Sequence, residues 1–363
     1  MSACLMETKE DYMLVRAAGS IVLGGLLLLA AVEAPVHAQP GARGRLLALS
    51  KGNLTLSIID PATLRILGTA PSGQDPHEVA ATADGRTAYI SNYGAGHGGF
   101  NTLTVVDLIN FTTRPPIDLG PLRGPHGMTQ AGGKIYFTAE VAKALGRIDP
   151  ATNKVDWAIG TGQDISHMVV AAPDVRRLFT VNVQSASASI IERAVGRAGR
   201  FAPAADDDWT IASVKVGEPA DDFEGFDVSP DGRELWTASP RGKLAIVDLT
   251  NKKLSQASDL PILSGANRVK FTPDGRRVFI SRLSGGGGSA GNIVVFDAGT
   301  RAEIKRIDVG SGVGGILMQP DGTRAFASSR TGVVVIDLQT LQVVARIDVG
   351  PNPDGLAWAA RPD

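Results

Sequence analysis

Residues 230–239 read Pro230-Asp231-Gly232-Arg233-Glu234-Leu235-Trp236-Thr237-Ala238-Ser239, a tight turn followed by a short aromatic-bearing strand. The proline presets φ, the aspartate offers a side-chain acceptor, and the glycine makes the return. The same turn recurs as Pro273-Asp274-Gly275 before VFISR and as Pro320-Asp321-Gly322 before AFASS. Three further copies lack the proline but keep the strand: Gly85 precedes AYISN, Gly132 precedes IYFTA and Val175 precedes LFTVN. Successive anchors lie 47, 43, 57, 43 and 47 residues apart, close to the period of a four-stranded propeller blade. The long interval holds an insertion around Arg193 to Asp208, between the third and fourth strands of its blade, where a loop can grow without disturbing the sheet.

The two ends complete the count. Residues 44–68 supply three strands, LLALS, TLSIID and LRILG, with no innermost strand before them. GLAWAARPD at 355–363 is an innermost strand with nothing after it, and Arg361-Pro362-Asp363 begins another turn of the repeating kind. The chain therefore reads as all-β: a seven-bladed β-propeller whose C-terminal strand closes the first blade and leaves no free edge. The 43 glycines, 21 prolines and 5% aromatic content suit many short strands joined by tight turns. Residues 39–363 form one propeller domain on this reading.

Later in each unit an apolar run ends in an acid: Asp60, Asp107, Asp149, Glu192, Asp248, Asp297 and Asp337. A catalytic carboxylate has no reason to recur in every repeat, whereas an acid that caps a turn does. These seven are read as structural.

Residues 1–38 read as a secretory leader. Arg16 precedes an apolar stretch, and Val36-His37-Ala38 makes a small-x-small cleavage site before Gln39. Glu7, Glu10 and Asp11 give the first twelve residues an acidic bias foreign to such leaders, which points to Met13 as the true start. The expected location is periplasmic or extracellular, with no stable membrane anchor once the leader is removed. The single cysteine, Cys4, precedes the cleavage site, which excludes disulfides, thiolate metal sites and c-type haem attachment from the mature protein. A formal net charge of -1 gives no basic surface for nucleic acid. No Gly-x-Ser-x-Gly elbow, phosphate-cradling loop or dinucleotide fingerprint occurs.

Tyr89-Ile90-Ser91-Asn92, Phe179-Thr180-Val181-Asn182 and Phe279-Ile280-Ser281-Arg282 resemble the name-giving motif of the YVTN-repeat propellers, exported bacterial proteins related to the haem d1 domain of nitrite reductases. The resemblance spans residues 44–363 and implies the fold. It says little of activity, because one fold hosts many functions. The d1 domain has eight blades where seven are counted here.

In a four-stranded blade the loop leading into the innermost strand and the loop between the second and third strands share one face, the top, around the central channel. This places all four histidines of the mature chain there. His77, His126 and His167 begin innermost strands of three consecutive blades, and Glu224 holds the same position in the next. His97 lies in the Gly94–Gly99 loop of the blade that His77 begins. Three imidazoles and a carboxylate suit a divalent transition metal, with Glu224 as ligand or general base and His97 as a weaker candidate. A haem axial ligand is a second option, with Met168 a soft ligand nearby. The plainer reading is that Pro-His-x-apolar is simply how these strands begin, each imidazole bonding a neighbouring carbonyl. Asp221-Asp222 and the glycine run Gly285–Gly288 are read as solvated acids and spacer. Two functions follow: an exported propeller binding a small ligand, metal or protein partner at the top of its channel, or a metal-dependent hydrolase or lyase using the same histidines.

Overall fold

The computed structural model describes residues 44–194, 208–283 and 291–361. The leader expected from the sequence, Cys4, most of the insertion, Gly285–Gly288 and the last two residues lie outside the described residues.

The described residues form seven four-stranded antiparallel sheets, with one short 3-10 turn among them at Pro219–Asp221. The blade that closes the ring joins innermost strand Pro353–Ala360 to Gly44–Ser50, Thr55–Ile59 and Ile66–Pro71. Leu46 pairs with Trp358 and Ala48 with Leu356, so the two ends of the chain share backbone hydrogen bonds. The next six blades span 76–118, 125–160, 166–215, 225–264, 266–308 and 313–347.

Burial follows from the place of each strand. Second strands such as Thr87–Asn92 are sandwiched between blades and are buried almost throughout. Outermost strands such as Lys154–Gly160 alternate between exposed and half-buried residues, as one-sided strands must. The core lies between neighbouring blades: Phe179 and Ile190 of one meet Phe226, Leu235 and Val247 of the next.

The repeat alignment holds residue by residue in the backbone. Gly85, Gly132, Gly232, Gly275 and Gly322 all take a left-handed φ, between 55° and 72°, and Val175, which replaces glycine in the sixth copy, takes 55°. Six of the seven recurring acids cap turns; Asp60, for example, accepts from the amides of Ala62 and Thr63 at 2.8 and 3.1 Å. Glu192 departs from that pattern and pairs with Lys252. Asp221 and Asp222 are partnered rather than merely solvated. Asp221 is buried against Lys243 at 2.8 Å, and Asp222 meets Arg241 at 3.4 Å.

Innermost strands crowd around the channel. A Cβ on Gly225 would lie 2.0 Å from the carbonyl oxygen of Asn267, and one on Gly355 would lie 2.4 Å from that of His77, so only glycine admits these approaches. Arg268 and Glu78, on innermost strands three blades apart, meet at 2.9 Å with their side chains about nine-tenths buried. Both line a lower cavity of about 450 Å³ among the innermost strands, with Met128, Met168 and Lys270, and Arg268 also lines a second, upper cavity that holds His77, His126 and His167. Among the described residues no helix is long and apolar enough to cross a membrane.

Candidate metal centre

The residue at the start of each innermost strand is aimed into the channel by a repeated backbone device. Asp75, Gly124, Ile165, Asp222, Gly265 and Asn352 all have positive φ, between 44° and 82°. Each lies two residues before His77, His126, His167, Glu224, Asn267 or Asp354. The left-handed residue turns the chain, and register shifts next to His77, His167 and Asn267 rotate their side chains away from the ladder. All six of these residues therefore share one upper cavity of about 500 Å³.

The rings of His126 and His167 lie 4.1 Å apart, those of His77 and His126 5.0 Å, and Tyr93 packs edge-on to His126 at 4.8 Å. Beside them stands Glu140, which the sequence reading did not single out. Its Oε1 accepts from His167 Nδ1 at 2.5 Å and its Oε2 from the Tyr93 hydroxyl at 2.5 Å. Ligand atoms of His126, Glu140 and His167 all lie within 4.8 Å of one another. Burial and the bond to Glu140 push the Tyr93 phenol pKa up, which keeps it a neutral donor.

His126 is 2% exposed, and its Nδ1 is buried without a hydrogen-bond partner. Burial, then the neighbouring His167 and His77, hold its pKa well below the ordinary 6.5. The same cause, followed by the Lys51 ammonium, lowers His77. His77 is already engaged: Lys51 Nζ lies 2.7 Å from its Nε2, and its Nδ1 lies 3.2 Å from the Asp75 carbonyl oxygen. Arg268, although burial opposes its charge, is kept protonated by Glu78 and Asp354.

The predicted residues thus divide. His77, His126, His167 and Glu224 share the mouth, but among the described residues only His126 and His167 fall, with Glu140, in the group of mutually close ligand atoms; His77 stands outside it, as does Glu224, which accepts from Asn267 Nδ2 at 3.0 Å. His97 is exposed, stacked on Phe100 at 5.8 Å and absent from the cavity wall. Met168 lines the lower cavity rather than the mouth. Lys51, Tyr93 and Glu140 each follow the last residue of a second strand, in three consecutive blades. That shared position is a signal the repeat alignment contains.

No protein-family model matches the chain, and no similar protein is found among curated sequences. Solved structures do resemble it. Hydrazine synthase of Kuenenia stuttgartiensis superposes with a TM-score of 0.62 at 16% identity, over 77% of this chain and 88% of that one. A protein of unknown function from Desulfotomaculum acetoxidans gives 0.66 at 13%, over 88% and 99%. The dihydro-heme d1 dehydrogenase NirN, solved in complex with DHE, gives 0.58 at 17%, over 89% and 76%. At such identities the likeness is one of fold alone, and it establishes this chain as a seven-bladed β-propeller whose structural neighbours differ in function.

Proposed function

We propose that this chain is an exported propeller that binds one divalent transition-metal ion at the mouth of its channel, with His126 and His167 as imidazole ligands. The observation that carries the reading is His126: 2% exposed, with a pKa that burial holds well below 6.5 and with Nδ1 unpartnered. A buried polar atom without a partner costs roughly 1–3 kcal/mol, a cost that a bound ligand removes. His167 supports it. By donating Nδ1–H to Glu140 it presents Nε2, the arrangement in which a carboxylate orients a metal-bound imidazole.

The cavity wall holds the acids Glu224 and Asp354 with the cations Lys51, Arg268 and Arg330, and Glu140 adds a carboxylate behind His167. Nitrogen-rich surroundings suit Zn, Cu, Ni or Fe rather than Ca or Mg. Glu224, hydrogen-bonded to Asn267, gives no support to a hydrolase or lyase reading, and Met168 below the mouth gives none to a His–Met haem pair.

The test is calorimetric titration of chelator-stripped protein with Zn(II) and Cu(II). One saturable site is expected, lost in His126→Ala and His167→Ala and weakened about 10- to 100-fold in Glu140→Gln. Absence of saturable binding, or binding that survives both alanine substitutions, refutes the proposal.

A further inference from the structure

Glu140 is 5% exposed, and each of its carboxylate oxygens has its own donor: Oε1 takes His167 Nδ1 and Oε2 takes the Tyr93 hydroxyl, both at 2.5 Å. Tyr93, Glu140 and His167 come from three consecutive blades. Tyr93 is itself held in place. Its amide donates to the Asp75 carbonyl at 3.0 Å, its carbonyl accepts from the Phe100 amide at 3.0 Å, and its ring packs against those of His77 and His126 at 4.7 and 4.8 Å. The backbone of His167 is pinned too: the Thr138 hydroxyl donates to its carbonyl at 2.9 Å and accepts from the Gly127 amide at 2.8 Å. With the strand fixed, the freedom left to His167 is the rotation of its ring and the choice of tautomer.

We propose that Tyr93 is a positioning residue: its hydroxyl fixes the Glu140 carboxylate and, through it, the tautomer and ring orientation of His167. Two physical reasons carry it. The last torsion of a glutamate is broad and nearly two-fold, so a carboxylate does not choose its own orientation; a donor standing on Oε2 chooses the one that keeps Oε1 on Nδ1. A neutral imidazole carries one N–H and one lone pair, and the hydrogen bond made by one nitrogen decides which is which. With Nδ1 donating to Glu140, the lone pair is on Nε2 of a residue in the cavity wall. Without the phenol, the buried carboxylate turns toward another donor and the ring is released to exchange tautomers. The tautomer is a property of the metal-free chain. Its effect on affinity rests on the metal reading above and deepens it, by adding Tyr93 to the groups that govern the mouth.

The experiment is nuclear magnetic resonance of the full propeller labelled with ¹⁵N-histidine and stripped of metal, at about pH 8, above the ordinary imidazole range, followed by Zn(II) titration. In wild type, His167, identified by the signal lost in His167→Ala, should be the Nδ1–H tautomer alone. Tyr93→Phe keeps the ring but removes the donor; it should show both tautomers and bind Zn(II) about tenfold more weakly, as loss of an outer-shell partner does. Adding Tyr93→Phe to Glu140→Gln should cost little more than Glu140→Gln alone, because both act through one nitrogen. Wild type with Nε2–H on His167 refutes the inference, whether or not the variant folds. So does a Tyr93→Phe protein that keeps the single tautomer, even if its affinity falls, and so do affinity losses that add in full. If the tautomers behave as expected and none of these proteins binds Zn(II), the metal reading fails while the positioning role of Tyr93 stands.

Discussion

Replacing His126 by leucine should stabilise the metal-free protein while abolishing its metal binding. The native imidazole is 2% exposed with Nδ1 unpartnered, and an orphaned polar atom of this kind costs roughly 1–3 kcal/mol. Leucine fills a similar volume but loses the ring contacts with Tyr93 and His167, at 4.8 and 4.1 Å, worth about 0.5–1.5 kcal/mol. The balance near neutral pH is a gain of about 1 kcal/mol, equivalent to roughly 2–4 °C in Tm or somewhat less for a ring of this size. Acid enlarges the gain. The pKa of His126 is depressed below 6.5 in the folded chain. As pH falls through that value the unfolded chain takes up a proton that the native ring refuses, so native stability drops. His126→Leu removes this loss, at most about 1.4 kcal/mol per pH unit, whereas the smaller loss from His77 persists because its pKa is lowered in the same direction. The assay is calorimetric melting of both proteins with chelator at pH 7.5 and pH 5.5. A leucine variant destabilised by more than about 1 kcal/mol with an unchanged pH dependence would refute the view that His126 is held for a ligand rather than for packing.

Glu78→Gln should destabilise the ring by about 2–4 kcal/mol, because Arg268 is left buried without its carboxylate; denaturant melts should show most of this loss restored in the double substitution Glu78→Leu with Arg268→Met. Deleting 352–363 removes strand Pro353–Ala360 and the pairs Leu46 with Trp358 and Ala48 with Leu356. Cooperative folding should then be lost, and a truncated chain with an unchanged melting transition would count against ring closure by the C-terminus. Gly225→Ala, whose Cβ would lie 2.0 Å from the Asn267 carbonyl oxygen, should cost about 1–3 kcal/mol and perturb the mouth; a melt equal to wild type would show that the strands can spread at no cost.

The fold was legible because it is written many times. Each blade repeats the same local physics, a turn that needs a left-handed residue followed by a strand that two neighbours bury, so errors in one copy are corrected by the others. The seven acids could be set aside for the same reason, and six of them do cap turns, with Glu192 the departure. Histidines 77, 126 and 167 were also visible, since they break the repeat at one position. Glu140, Tyr93 and Lys51 were not seen, although they share a position of their own, because a lone acid, phenol or amine after a strand carries no chemical signature until its neighbours are known. His97 looked equivalent to the others in sequence and is not, because its glycine-rich loop places the ring on Phe100.

The sequence by itself determined the number of blades, the closure by the C-terminal strand and the face on which chemistry could gather, all of which depend on local turns and periodic burial. Tertiary structure alone decided which of the gathered groups touch. Glu140 meets His167 across 27 residues, Lys51 meets His77 across 26, and Arg268 meets Glu78 across 190. These contacts depend on the radius of the ring and the crowding of its innermost strands, which local sequence does not encode.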